Sequence, residues 1–295
     1  MRKRVIALGF FDGVHLGHGA LLSRTAALAK ENGFTSAALT FEEHPLQTLK
    51  KEPVPLINTT SERVGLIKRL YDIEEVLLCD FDISFSRLSC AEFVRKILID
   101  KYNAAHVVAG YDYRFGQNAA GGSNELKRLC EEYGLGVSII EKIELSGITV
   151  SSTYIRKLIS DGDMRRAARF LGHPHCMEGE VLHGHKIGTK LGIPTINLKF
   201  EENIQIPRLG VYVTSVALEN ETRRGATSVG IRPTVCDNGA ISVETHIIDY
   251  NAELYGKRVR IDFLDYLREE IRFNSIEELK ERIYRDIDAA RKYTD

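Results

Sequence analysis

Val5-Ile-Ala-Leu-Gly-Phe-Phe-Asp-Gly-Val-His-Leu-Gly-His18, running on into Gly19-Ala-Leu-Leu-Ser-Arg-Thr-Ala-Ala-Leu-Ala29, decides the reading of the first half of the chain. Val5–Leu8 is a short apolar run of strand length that stops at Gly9. From Leu21 the apolar residues return at helical spacing, Leu21, Leu22 and Leu28, with alanines between. A glycine-rich turn separates the two and holds Gly9, Phe10, Asp12, Gly13, His15, Gly17 and His18. A strand feeding a helix through such a turn places ligands at the strand's carboxyl end, where the helix N-terminus attracts phosphate. His15 and His18 sit three apart as that helix opens, so both imidazoles can face the same phosphates. The turn is not a dinucleotide fingerprint, because Gly17-His18-Gly19 is followed by Leu22 where a third glycine is needed. No segment matches the P-loop pattern. Two other readings stand beside phosphate contact: a helix cap with solvated histidines, or a metal pair. The latter needs three or four ligands, and no cysteine or third histidine is near in sequence.

With 295 residues the chain is long enough for two domains of ordinary size. The formal charge of -1 implies no strongly basic face, so nucleic acid is not an expected partner. No apolar run approaches a membrane span, and no signal-peptide core follows Met-Arg-Lys-Arg, so neither membrane association nor export is expected. Cys79, Cys90, Cys130, Cys176 and Cys236 are scattered without a Cys-x-x-Cys pair. That spacing fits neither a disulfide scaffold nor a zinc site and suits a reducing cytoplasm.

Up to about Gly172, strand-like runs (Thr35–Phe41, Glu75–Cys79, Ala104–Ala109, Gly136–Ile140) alternate with helix-like ones (Thr60–Tyr71, Cys90–Tyr102, Asn124–Tyr133). Such alternation predicts a parallel sheet covered on both faces, with ligands at the carboxyl ends of its strands. The loops there are Thr40-Phe-Glu-Glu-His-Pro45, a glycine-rich loop from Gly110 to Gly122 that carries Asp112, and Val150-Ser-Ser-Thr-Tyr-Ile-Arg156. Ser151, Ser152 and Thr153 are N-cap candidates for a helix over Tyr154–Ile159, with Arg156 one turn beyond Ser152. Hydroxyls, free backbone N–H groups and an arginine at one helix start make an anion site; a plain capped helix with a surface arginine is the alternative.

Leu171-Gly-His-Pro-His-Cys-Met-Glu-Gly179 reads as a linker, giving domains 1–172 and 173–295. Beyond it, strand-like runs at Glu178–Leu182, Gly210–Leu218, Arg224–Val229, Ile241–Ile248 and Arg258–Tyr266 follow one another without long helices between them. Ile276–Ala290 is amphipathic and has Asn274 or Ser275 as its cap. The pattern predicts a small antiparallel β-barrel with a terminal helix. Gly184, Gly188 and Gly192 recur at spacing four with Lys186 and Lys190 between them; alone, this is also the composition of a flexible hairpin. Pro194 stiffens the turn, and Thr195 and Asn197 offer oxygens suited to magnesium. In Ser242-Val-Glu-Thr-His-Ile247, alternation puts Ser242, Glu244 and His246 on one face, which by itself reads as the wet side of a strand.

The His-x-Gly-His turn resembles the nucleotidyltransferase superfamily, and Gly9-Phe-Phe-Asp-Gly-Val-His-Leu-Gly-His18 in full resembles the prokaryotic bifunctional riboflavin kinase/FAD synthetase family. The loops at Thr40–Pro45, Gly110–Gly116 and Val150–Arg156 match that family's adenylyltransferase module, with Glu43 for a proline and Tyr113 for a phenylalanine. Gly192-Ile-Pro-Thr-Ile-Asn197 resembles the kinase Pro-Thr-x-Asn motif, with Ile196 where alanine is usual. Gly230–Thr234, Val243–His246, Leu254–Gly256 and Leu267–Phe273 match the kinase as well. The resemblance implies a Rossmann-like nucleotidyltransferase domain followed by a kinase barrel. It implies ATP-dependent phosphorylation of riboflavin to FMN, then adenylylation of FMN to FAD with release of pyrophosphate. Glu244 would be the kinase base, Thr195 and Asn197 would hold ATP-bound Mg2+, and Gly184–Gly192 would cover the phosphates. His15, His18, Ser151, Ser152 and Arg156 would serve adenylyl transfer. Two alternatives are a kinase with a degenerate first domain, suggested by Glu43 and few residues before the first strand, and a non-catalytic flavin-nucleotide binder. Oligomeric state is not legible.

Overall fold

The computed structural model describes residues 2–50, 54–183, 192–201, 203–231 and 240–294. They form two compact units, Met1–Leu56 with Thr60–Ser152, and Ile57–Thr59 with Thr153–Asp295.

In the first unit, β1 (Arg4–Leu8), β2 (Thr35–Phe41), β3 (Glu75–Cys79), β4 (Ala104–Gly110) and β5 (Gly136–Ile140) make a parallel sheet in the order β3-β2-β1-β4-β5. Both faces are covered, so strand positions are apolar without alternation. Ile6 and Leu8 enter one core with Phe93, Leu98, Leu126 and Leu129, while Val5 and Ala7 enter the other with Leu22, Leu66 and Ile67. The helices of this unit include α1 (Leu16–Asn32), α2 (Pro45–Lys50), α3 (Thr60–Tyr71) and α4 (Ile83–Ser86). They continue with α5 (Cys90–Glu92), running on as a wider π-type coil over Phe93–Lys101, and α6 (Ser123–Glu132). Chain order runs outward from β1 in one direction to β3 and then resumes on its other side at β4. That reversal opens a crevice at the carboxyl ends of β1 and β4, where open α/β sheets bind ligands. A small hairpin, β6 (Glu144–Leu145) with β7 (Ile148–Thr149), precedes Val150 and was not legible as strands.

The second unit is a closed barrel of six strands. Its strands are β8 (His175–Leu182), β9 (Ile196–Lys199), β10 (Gly210–Ala217), β11 (Thr222–Ile231), β12 (Ile241–Ile247) and β13 (Arg258–Arg268). Sequence periodicity missed β9, a short strand that begins two residues after Pro194. Alternation turns Tyr212, Thr214, Thr227, Val243 and Thr245 inward. Thr214, Thr227 and Thr245 satisfy their buried hydroxyls in a chain of 2.8 Å hydrogen bonds. On the outer face, Val213 and Ile248 pack against Ile287 and Ala290 of the C-terminal helix, Ile276–Lys292. Ser275, rather than Asn274, caps that helix, its Oγ accepting from the Glu278 N–H. Arg268 on β13 ties the helix down through Asp286 at 2.6 Å.

Two helices precede the barrel, α7 (Ser152–Asp161) and α8 (Met164–Leu171), and both group with the second unit from Thr153 onward. The compact units divide between Ser152 and Thr153, which is a different division from the boundary between catalytic modules that the sequence suggests at 172/173. The reason is α8, which buries Met164, Ala167, Phe170 and Leu171 and packs on β8 and β13. Arg165 adds an ion pair to Asp265 at 2.7 Å.

Candidate active sites

The turn after β1 is built under strain. Phe11 and Val14, both fully buried, adopt φ of 60° and 42°, beside Gly13 at 81°. Left-handed conformations of ordinary residues cost on the order of 1–3 kcal/mol and persist where packing over-determines them. Here the turn is fixed to the sheet: Gly9 N–H donates to Leu39 O, and Thr40 Oγ1 donates to Phe10 O at 2.8 Å. His15 caps α1, its Nδ1 accepting from the His18 N–H at 3.2 Å. With Nδ1 an acceptor, a neutral His15 carries its proton on Nε2. The His18 ring stacks on His15 with centroids 3.6 Å apart and meets Phe11 edge-on at 5.3 Å. A side chain at Gly17 would press on the His15 ring at 3.0 Å, so glycine there is what leaves room for the stack. Burial first, then His15 and then Arg63, hold His18 well below the usual imidazole range, so it is neutral at pH 7.

Asp12 is buried in the same turn. Its carbonyl accepts from Ser152 Oγ at 2.9 Å, tying the end of the first unit to the histidine turn. The helix starts earlier than Tyr154: α7 begins at Ser152, so Ser152 and Thr153 lie in its first turn, and of the three cap candidates Ser151 is the one that directly precedes it. Ser151 and Ser152 close the first unit, whereas Thr153 and Arg156 group with the second. Asp112 stands exposed in the loop after β4, at the carboxyl edge next to β1. That loop is pinned by pairing of Phe115 with Gly121 and by the Tyr113 ring stacked on Phe115. One residue absent from the sequence reading reaches the turn. Arg63 of α3 is fully buried, with its guanidinium 4.2 Å from the Phe10 ring centroid. Its signal was present, since Arg63 falls on the same helical stripe as Leu66, Ile67 and Leu70.

In the barrel, Glu244 on β12 lies directly opposite Asn197 on β9, while Thr245 pairs with Ile196. Directly opposed residues share a face, so Glu244 and Asn197 sit together on the outer side, with Ser228 opposite Glu244 on β11. Asn197 is buried and Glu244 half-buried, which sets Glu244 apart from a freely solvated strand residue. His246, next along that face, donates from Nδ1 to the Pro194 carbonyl at 2.8 Å. This bond anchors the Gly192–Thr195 turn, whose Ile193 is buried in the helix-facing core. Gly184, Lys186, Gly188 and Lys190 lie outside the described residues, as does most of Gly230–Thr234. Among the described residues no group of three or more His, Cys, Asp or Glu could cage a metal. Thr195 and Asn197 offer oxygens of the kind that bind a hard cation.

This fold, a doubly covered parallel sheet followed by a six-stranded barrel, matches two families along one chain. FAD synthetase matches residues 1–154 and riboflavin kinase residues 171–294. A bifunctional riboflavin kinase/FMN adenylyltransferase of Listeria monocytogenes is 35% identical over 96% of this chain and 90% of its own. The Bacillus subtilis protein of that name is 33% identical over 99% of this chain and 92% of its own. A crystal structure described as a macrolide-efflux protein from Streptococcus pneumoniae superposes with a TM-score of 0.88 at 31% identity, covering 99% of this chain and 95% of that one. Its description concerns that protein; among the described residues here, no helix is long and apolar enough to cross a membrane. The chain belongs to the bifunctional riboflavin kinase/FMN adenylyltransferase family.

Proposed function

We propose that the family's two reactions divide between residues 1–172 and 173–295, with the barrel making FMN and the parallel-sheet module converting it to FAD. In the barrel, Glu244 accepts the proton of the riboflavin 5′-hydroxyl as that oxygen attacks the γ-phosphorus of ATP, giving FMN and ADP. Asn197 and Thr195 hold the nucleotide's Mg2+, and the Gly184–Gly192 segment with Lys186 and Lys190 covers its phosphates. Bound Mg2+ supplies charge neutralisation at the phosphoryl oxygens.

In the first module the FMN phosphate attacks the α-phosphorus of a second ATP, and pyrophosphate leaves. A phosphate is already an anion at neutral pH, so no base is needed. What the protein supplies is orientation and stabilisation of charge at phosphorus. His15 Nε2, His18 and the N-terminus of α1 provide that, with Gly9, Phe10, Gly13 and Gly17 shaping the approach. Asp12, Asp112, Ser151 and Ser152 complete the nucleotide and phosphate contacts. The described cysteines are free, which supports a cytoplasmic setting. The observation that carries the reading is that a single chain holds a stacked histidine pair at the sheet's switch point and a Glu244–Asn197 pair in a barrel. Incubation with riboflavin, ATP and magnesium, followed by separation of flavins, tests it: both FMN and FAD are expected. Accumulation of FMN alone would reduce the first module to a degenerate domain.

A further inference from the structure

Arg63 is the one fully buried arginine among the described residues. Desolvating a guanidinium costs several kcal/mol unless its donors are met. Nη2 donates to the Phe41 carbonyl at 2.6 Å and to Thr60 Oγ1 at 3.4 Å. Nε and Nη1 are buried without a hydrogen-bond partner. Phe41 ends β2 and Phe10 follows β1, so one side chain clasps the carboxyl ends of two adjacent strands. Burial brings its pKa down to about 10, opposed by the Asp12 charge, so it remains a cation at neutral pH. A well-packed apolar side chain would fill the same space without that cost. Packing alone therefore does not account for a charge at this place.

We propose that Arg63 is a positioning residue for adenylyl transfer: from beneath the turn it fixes Phe10 and Asp12, and through them aims the stacked His15–His18 pair at the reacting phosphate. The proposal rests on the adenylyltransferase reading of the first module. The charged and titratable groups around the pair are Asp12 and His15 from the turn, Arg63 and Tyr71 from α3, and His44 across the Phe10 ring. Of these, Arg63 is a fixed cation that acts with burial and His15 to keep His18 unprotonated.

The test compares wild type, Arg63→Met and Arg63→Lys. It measures kcat and KM for FMN adenylylation, the kcat/KM profile from about pH 5 to 9, thermal midpoint, and riboflavin phosphorylation on the same preparation. Arg63→Met is expected to lower adenylylation kcat on the order of 10²-fold, as small misplacements of reacting groups do, with riboflavin phosphorylation unchanged. Its acid limb should move to higher pH, because His18 has lost a positive neighbour. Arg63→Lys should restore the limb and recover only part of kcat, since an ammonium cannot reproduce the fixed, forked donor geometry of a guanidinium that bonds Phe41 while lying over Phe10. A full-rate Arg63→Met variant, or a slow one whose acid limb has not moved, overturns the proposal. Should Arg63→Met not fold, Arg63→Lys decides: reduced kcat with a wild-type limb supports the role, and wild-type kcat overturns it. Wild-type protein that makes no FAD would remove the underlying reading before any variant is compared.

Discussion

His15 and His18 lie ring on ring, 3.6 Å between centroids and 13° from parallel, while His15 Nδ1 caps the same helix turn by accepting from the His18 N–H. One histidine is thereby held by the backbone and the second by the first. Such an arrangement brings both imidazoles to one place at the opening of a helix. His18→Ala removes one of these rings and leaves the cap intact. The expected result is a loss of FMN adenylylation of roughly 10²–10³, typical for one preorganised donor to a developing charge, with riboflavin phosphorylation retained. Unchanged FAD synthesis would make His18 a helix-start bystander.

Gly19, one residue on, sits where α1 meets α3. A β-carbon built there would lie 2.3 Å from the Tyr71 hydroxyl and 2.8 Å from its ring carbon. Gly19→Ala should destabilise the first unit by about 1–3 kcal/mol through overpacking. Tyr71→Phe on that background removes the nearest atom but leaves the ring, so it should recover only part of the loss. A double-mutant cycle by urea unfolding measures the coupling, and purely additive effects would show that the helices simply move apart.

Sequence reading went furthest where one rule governed many residues. β1, β2 and the Gly9–His18 turn combine apolar runs, glycines and a helical period, and the structure places them as that pattern requires. Arg63 is hard to see because Thr60-Ser-Glu-Arg63 has the composition of a polar first turn, although both Glu62 and Arg63 are buried. β9 escaped because its four residues follow Pro194 without an alternation long enough to count. The grouping of α7 and α8 is tertiary: an amphipathic helix shows that it has a partner, not which one. In this chain α8 takes the barrel strands.

The barrel also contains a histidine whose role is legible only in three dimensions. His175 is fully buried, neither ring nitrogen has a hydrogen-bond partner, and burial followed by the His173 charge pushes its pKa down to about 3. The unfolded chain protonates near pH 6.5, so between about pH 6.5 and 3 the unfolded state binds more protons. His175 therefore favours folding fully above pH 6.5 and progressively less as the pH falls toward 3. The slope is at most about 1.4 kcal/mol per pH unit from this group. His175→Leu should flatten the pH dependence of the barrel's urea midpoint across that window. Superposable pH profiles for the two proteins would exclude His175 as the source.

Glu244 offers the sharpest separation of the two modules. It stands opposite Asn197 in the β12–β9 ladder, and the register is locked from within by the Thr214–Thr227–Thr245 hydroxyl chain one position away. Glu244→Gln preserves length and hydrogen-bonding capacity, so neither strand pairing nor packing should change. What disappears is the ability to take up the riboflavin hydroxyl proton, a contribution worth on the order of 10²–10⁴ in rate. The expected outcome is a collapse of FMN formation from riboflavin, with FAD still produced at the wild-type rate when FMN is supplied. Both rates and the thermal midpoint are measured on one preparation, so a folding defect would show as a lowered midpoint. Near-normal riboflavin turnover in a stably folded Glu244→Gln protein would return this residue to the outer face of an ordinary strand and leave the kinase base to be sought elsewhere in the barrel.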